Sequence, residues 1–293
     1  MSNKNKVSAF IWVALAYVFA AGAAIGTGWA FWEEEQWLVV LLADVAATLV
    51  IFGFSVAFKN ASFYDPYWSV IPIWIVIFLF LFPEAEANDF RALITAGLVT
   101  WWGLRLTWNW WRGWSGLDHE DWRYVNLRKK TGIFFPFVNL SGIQLMPTVL
   151  VFLGCLPLFP ILSNSNAPLG WLDILGFAVT AGAILIEAVA DIQLRRFRLS
   201  NTDPQNILDT GLWKYSRHPN YFGEISFWYG LFIIGLGAAP DEWWRGAGAL
   251  AMTLLFVFIS IPMIDKRMLS KRPHYAERKR RVSGLIPLPP RKK

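Results

Sequence analysis

The sequence predicts an all-α protein, a polytopic transmembrane helical bundle of about eight spans (seven to ten), and three observations predict it. Of the 293 residues, 55% are hydrophobic and only 16% charged, whereas a soluble domain carries about 25% charged residues. Apolar runs of about 20 residues, enough for a helix to cross a bilayer core, recur along the whole chain. The basic residues are confined to alternate linkers between those runs.

Taken in order, the runs lie near 7–32, 37–58, 68–82, 90–111, 143–161, 168–190, 221–239 and 243–264. The first continues past twenty residues without a small-residue cleavage site, which fits a retained helix rather than a signal peptide. On one face fall Lys4 and Lys6, Lys59, five basic residues between Arg112 and Lys130, five between Arg195 and Arg217, and eleven from Lys266 onward. That is 24 of the 27 lysines and arginines. The other linkers, "EEEQ" (33–36), "PEAEAND" (83–89), "SNSNAP" (163–168) and "PDE" (240–242), carry none. Because lysine and arginine are retained in the cytoplasm, both termini are expected there. Residues 1–293 read as a single integral membrane domain.

The net charge of +6 follows from this topology and from attraction of the tail "RPHYAERKRR" to anionic headgroups. Basic residues divided among membrane-flanking loops do not form a nucleic-acid surface. Cys155, the sole cysteine, has no disulfide partner within the chain and reads as a packing residue. Three scattered histidines make no metal site, and neither a Walker A loop nor a strand-linked GxGxxG is present.

Charged groups at bilayer depth are costly, so each is a site candidate. Asp44, Arg105, Glu187 and Glu224 fall inside the second, fourth, sixth and seventh spans. Glu187, Asp191, Arg195 and Arg198 recur at helical spacing along one face; a solvated ladder accounts for the outer members as well as ligand binding does. Arg105, Asn109 and Arg112 share a helical face suited to a phosphate. The following "HEDWRY" offers Trp122, Arg123 and Tyr124 to a ribose or an adenine, or else forms an ordinary interfacial loop. In "GLWKYSRHPNYFGE" (211–224) Pro219 favours a helix start. The free amides near Asn220 and Tyr221, with Lys214, Tyr215, Arg217 and His218 beside them, outline an anion-binding helix mouth.

These stretches resemble a known family. "GLWKYSRHPNYFGE", the preceding "EAVADIQLRRFR" and the closing "IPMIDKRMLSKRPHYAERKRRVSGLIP" are similar to the C-terminal half of the steroid 5-alpha-reductase superfamily. "NASFYDPYWSV" and "WNWWRGWSGLDHEDWRY" resemble its bacterial branch. The likeness runs from about Asp44 and is strongest over 187–293. It extends to the isoprenylcysteine methyltransferases and the sterol C14-reductases. The resemblance implies an inner-membrane enzyme of bacterial type that binds NADPH on its cytoplasmic side and reduces a polarised carbon–carbon double bond in a lipid, steroid-like or isoprenoid substrate. By motif, Arg105, Asp191, Arg198, Asn220 and Glu224 would hold the cofactor, and the region of Asp265, Arg267 and Tyr275 would close over it.

The family's catalytic tyrosine stands three residues before the arginine that matches Arg105, and here that position is Trp102. Tyr64, Tyr67 and Asp44 are the replacement candidates for the proton donor. Asp44 suits that role as an uncharged acid, since a bare carboxylate at that depth would carry a large burial cost. Two rival expectations remain: an S-adenosylmethionine-dependent membrane methyltransferase, and a non-catalytic lipid-binding membrane protein.

Overall fold

The computed structural model describes residues 3–292, with the side chains at 3–5 and 164 outside the description; Lys4, counted above among the basic residues, is one of these. Among the described residues there is no strand, only an isolated bridge between Ser216 and Ser283, so the all-helical expectation holds. Among the described residues seven helical stretches are long and apolar enough to cross a membrane, within the expected seven to ten. The chain divides into two compact units, Met1–Ser165 and Asn166–Lys293.

In the first unit α1 (Asn3–Ala30) spans 28 residues, about 42 Å at 1.5 Å per residue, longer than the roughly 30 Å hydrocarbon core. α2 (Gln36–Ala57) ends where Lys59 takes a left-handed φ of 52°, the conformation that lets a helix stop. Asn60 then accepts from the Ser62 amide and starts a tight turn, Ala61–Phe63. α3 (Tyr67–Leu81) follows Pro66 and tolerates Pro72 in its interior. α4 (Asp89–Gly113) is capped by the Asn88 side chain. It has the length to span, but its tryptophans and Arg105 lower its hydropathy, and it is not among the seven. α5 (Trp122–Thr131), α6 (Phe135–Val138), a π-helical turn (Asn139–Leu145) and α7 (Met146–Cys155) form one long helical stretch, polar at its start and apolar beyond.

Small residues set the spacing of these helices. Ala9, Ala16 and Ala20 of α1 pack with Ala47 and Ile51 of α2 around Phe63, Tyr64 and Tyr67. A β-carbon on Gly103 would stand 2.4 Å from the Ser69 carbonyl oxygen, so α3 and α4 touch through backbone there, as small residues permit in membrane bundles. At the far end Gln36 donates to the Phe82 carbonyl (2.7 Å) and accepts from Ser163 (2.8 Å).

The second unit is organised by α8 (Trp171–Ser200) and α9 (Pro219–Ala238). A β-carbon on Gly223 would lie 2.7 Å from that of Glu187, and one on Gly230 would lie 2.2 Å from the Thr180 hydroxyl. These glycines press the two helices together. α10 (Ala247–Leu255), a second π-helical turn (Phe256–Ser260) and α11 (Ile261–Lys271) make the last apolar crossing, and the short α12 (Tyr275–Arg281) follows. Large apolar side chains such as Trp29, Ile133, Phe137, Trp171 and Trp243 are exposed, as lipid-facing groups are.

Candidate functional site

Each unit holds one cluster of the residues singled out from sequence. In the first, Asp44 and Tyr67 meet across α2 and α3. The Tyr67 hydroxyl donates to Asp44 Oδ1 (2.7 Å) and to the Asp44 carbonyl oxygen (3.0 Å). Asp44 Oδ2 is buried and has no hydrogen-bond partner. Both residues line a cavity of about 730 Å³ whose other walls, apart from Tyr17, are apolar. Tyr64 stacks on Tyr67, with ring centroids 5.1 Å apart, and its hydroxyl lies 2.8 Å from that of Thr148. Thr148 in turn lies 2.8 Å from Thr48. All three catalytic candidates therefore belong to one group. The two threonines went unremarked in sequence, although Thr48 stands one helical turn after Asp44 and thus on its face.

On α4, Arg112 is exposed and donates to the Asn109 side chain at 2.5 Å while its guanidinium lies 5.5 Å from the Trp108 ring. Arg105 is half-buried on the same helix. At the start of α5 and in the loop before it, Arg123 pairs with Asp121 (2.8 Å), Tyr124 donates to Asp65 (2.8 Å), and Glu120 accepts from Arg128 (2.7 Å) and from the Ala61 amide (2.8 Å). This segment clasps the Asn60–Asp65 turn, and Trp122 sits half-buried at its edge.

The second unit gathers its candidates around Asp265. This carboxylate accepts from Arg217 and from Tyr275 (2.7 Å), lies 3.5 Å from His218 Nε2, and is 3.6 Å from Lys279. Arg217 and Asp265 are 8% and 3% exposed at their side chains, so this is a buried pair with its charge compensated. Arg217 Nε is buried and unpartnered. Burial pushes the His218 imidazole below its usual range, opposed by the Asp265 hydrogen bond. Burial, then the bond to the carboxylate, pushes the Tyr275 phenol up to about 12.

Backbone pairing positions this cluster. Ser216 Oγ donates to the Leu285 carbonyl (2.7 Å), and the Arg217 amide to that of Ser283 (2.9 Å). The Leu288 amide donates to the Tyr215 carbonyl (3.0 Å). Arg278 donates to the Trp213 carbonyl. The tail beyond α12 thereby holds the mouth of α9, where Asn220 and Tyr221 form its first turn and Tyr221 stacks on His218 (5.4 Å). Glu224, one turn deeper, is buried and accepts from Trp228 (2.9 Å). On α8, Glu187 is buried, Asp191 half-buried, and Arg195 and Arg198 exposed; Lys214 is exposed, and Arg267 half-buried. Ser216 and Lys279 were not singled out in sequence, the first a small hydroxyl and the second one of many basic tail residues.

No solved structure matches the chain. It is 25% identical over 286 residues to an uncharacterized protein of the fission yeast Schizosaccharomyces pombe, an alignment covering 88% of this chain and 81% of that one. A family model, described as "Protein of unknown function (DUF1295)", matches residues 51–282. With most of its length so matched, the chain belongs to that family.

Proposed function

We propose that the protein is an NADPH-dependent membrane oxidoreductase of the steroid 5-alpha-reductase-like group that reduces an activated carbon–carbon double bond in a lipid. The observation that carries this reading is the Asp265 cluster: it joins "YSRHPNY" to "IDKR" and "PHY", the stretches in which the family resemblance is strongest. One edge of the Arg217 guanidinium is spent on Asp265 while Nε is buried without a partner. A donor left in that state suits an anionic oxygen, so the residues fit a phosphate-bearing cofactor. Asp191, Arg198, Lys214, Arg217, Asn220 and Glu224 of the second unit would hold it.

NADPH, when bound, supplies a hydride to the β carbon of the alkene. Asp44 would supply the proton that the substrate carbonyl oxygen takes up when the double bond is reduced. Tyr67 orients the acid by donating to Oδ1, which leaves the acidic hydrogen on Oδ2 directed away from protein partners. The apolar walls of the cavity accept the lipid body. Lys59, the Arg128 region and the tail face the cytoplasm in this reading.

The test is thermal unfolding of the purified protein with NADPH, NADH or S-adenosylmethionine. NADPH is expected to raise Tm in a saturable way, and Asn220→Ala and Arg198→Ala to weaken that effect. Stabilisation by S-adenosylmethionine alone would instead favour methyl transfer, and stabilisation by none of the three a non-catalytic lipid binder.

A further inference from the structure

The longest helical stretch of the first unit contains a step that the Asp44 site does not use. Trp122–Cys155 is 34 residues long, about 51 Å at 1.5 Å per residue, against a hydrocarbon core of roughly 30 Å. The part from Ile133 to Cys155 alone covers about 34 Å, so the polar α5 lies outside the core. Local structure marks the boundary. Gly132 takes a left-handed φ of 52°, which glycine adopts without steric cost, and directly after it Ile133, Phe134 and Phe137 are 89%, 68% and 72% exposed. Phe135, between them, turns inward and is buried, its ring centroid 3.9 Å from the Arg128 guanidinium.

Three lysines gather at that boundary. Lys129 and Lys130 stand in the last turn of α5, just before Gly132. Lys59 stands just past the apolar α2, and its carbonyl accepts from Arg128 (3.1 Å). That bond brings the ends of α2 and α5 together, so two segments leave the apolar layer side by side. All three lysines are exposed. The carboxylates of this region are engaged elsewhere: Glu120 with Arg128 and the Ala61 amide, Asp121 with Arg123, and Asp65 with Tyr124. Among the described residues the three lysines form no ion pair. Their charge is therefore not balanced within the fold, while large apolar side chains stand exposed directly beyond them. An anion with an apolar body satisfies both.

We propose that this step is a binding site for one anionic phospholipid, with its phosphate among Lys59, Lys129 and Lys130 and its acyl chains against Ile133, Phe134 and Phe137. Ammonium groups bind phosphate as point charges, and each lysine close to an anionic leaflet adds to the attraction. With the basic linkers on the cytoplasmic side, these residues meet the leaflet that carries the anionic headgroups. A lipid held there bridges the ends of α2 and α5 and stabilises their contact. The inference uses neither Asp44 nor the Asp265 cluster, so it stands or falls apart from the reductase reading. Lysines that served only as topology signals would instead share headgroup attraction evenly with every other basic segment, α11 and α12 included.

Full-length protein in detergent micelles is titrated with dioleoylphosphatidylglycerol, dioleoylphosphatidylcholine or inorganic phosphate, with bound lipid counted by native mass spectrometry and Tm followed in parallel. Phosphatidylglycerol is expected to bind saturably, a single lipid per chain, and to raise Tm. Lys129→Gln combined with Lys130→Gln is expected to raise its apparent Kd by about tenfold or more, and Lys59→Gln to act in the same direction. Lys271→Gln combined with Arg280→Gln, two exposed cations of the second unit, leaves it unchanged. Exposed lysines are replaced at little cost to folding, and the Tm of each variant in phosphatidylcholine checks this. Unaltered binding in the Lys129 and Lys130 double variant would overturn the site. Equal loss in both double variants would overturn it too, in favour of diffuse attraction. Equal binding of phosphatidylcholine would remove the role of the anionic headgroup, and equal stabilisation by inorganic phosphate that of the lipid body; either result overturns the proposal.

Discussion

The Tyr67 hydroxyl lies 2.7 Å from Asp44 Oδ1 and 3.0 Å from the carbonyl oxygen of the same residue. One phenol thus fixes both the side chain and the backbone of the acid on the neighbouring helix. Tyr67→Phe is expected to destabilise the protein by about 1–3 kcal/mol, the cost of leaving a buried acceptor unpaired, as measured by denaturant or thermal unfolding in detergent. If Tyr67 orients the acid, the same variant lowers turnover at saturating substrate more than it raises KM; equal binding loss with unchanged kcat would contradict that role.

Asp265 and Arg217 form a charge pair buried on both sides. Asp265→Leu strands a guanidinium away from water and is expected to cost about 3–5 kcal/mol, read as a lowered Tm. Lys279→Ala, which removes only the exposed and longer contact at 3.6 Å, is expected to shift Tm far less.

Helix contact in the second unit makes a steric prediction. Gly223→Val places carbon atoms where the Glu187 β-carbon and the Ala183 carbonyl already stand, and should destabilise by about 1–3 kcal/mol or more. Gly53→Ala meets nothing within 4 Å and should be neutral or stabilise by about 0.5–1 kcal/mol. Paired unfolding curves of the two variants check both directions.

His218 gives stability a pH dependence. Its pKa is lowered by burial, with Asp265 opposing the shift. The unfolded chain therefore binds the proton more readily, and stability rises with pH across that interval. The contribution is fully present above the unfolded value of about 6.5 and is lost as pH falls toward the folded one. Tyr275, raised to about 12, acts at the other end: its neutral form is favoured in the fold, and stability falls as pH climbs from about 10 to about 12. Unfolding midpoints measured from pH 5 to 8 should show the first slope, and His218→Gln should flatten it.

Much of the fold was legible because the membrane imposes a length. The run read as 68–82 is Tyr67–Leu81, and that read as 37–58 is Gln36–Ala57. The run read as 143–161 was not seen at its full extent. The helical stretch that carries it begins at Trp122, because Asp121 caps a polar helix that feeds straight into apolar residues; hydropathy weighs composition and is blind to such a cap. Residue types at the candidate sites were legible too: a lone acid in an apolar run is conspicuous. Their pairings were not. Asp44 and Tyr67 are 23 residues apart, and Arg217 and Asp265 are 48 apart; one sequence records no contacts at that range. Thr48 and Thr148 escaped notice because hydroxyls are unremarkable in membrane helices until their neighbours are known.

The backbone bonds that bind Ser283, Leu285 and Leu288 to Tyr215, Ser216 and Arg217 bear on biosynthesis. Membrane helices are delivered in order during translation, and residues 283–288 follow all seven apolar crossings. The basic mouth of α9 thus enters the bilayer surface well before its partner segment leaves the ribosome. For that interval it must be tended by water, lipid headgroups or a chaperone, until residues 283–288 arrive to close it.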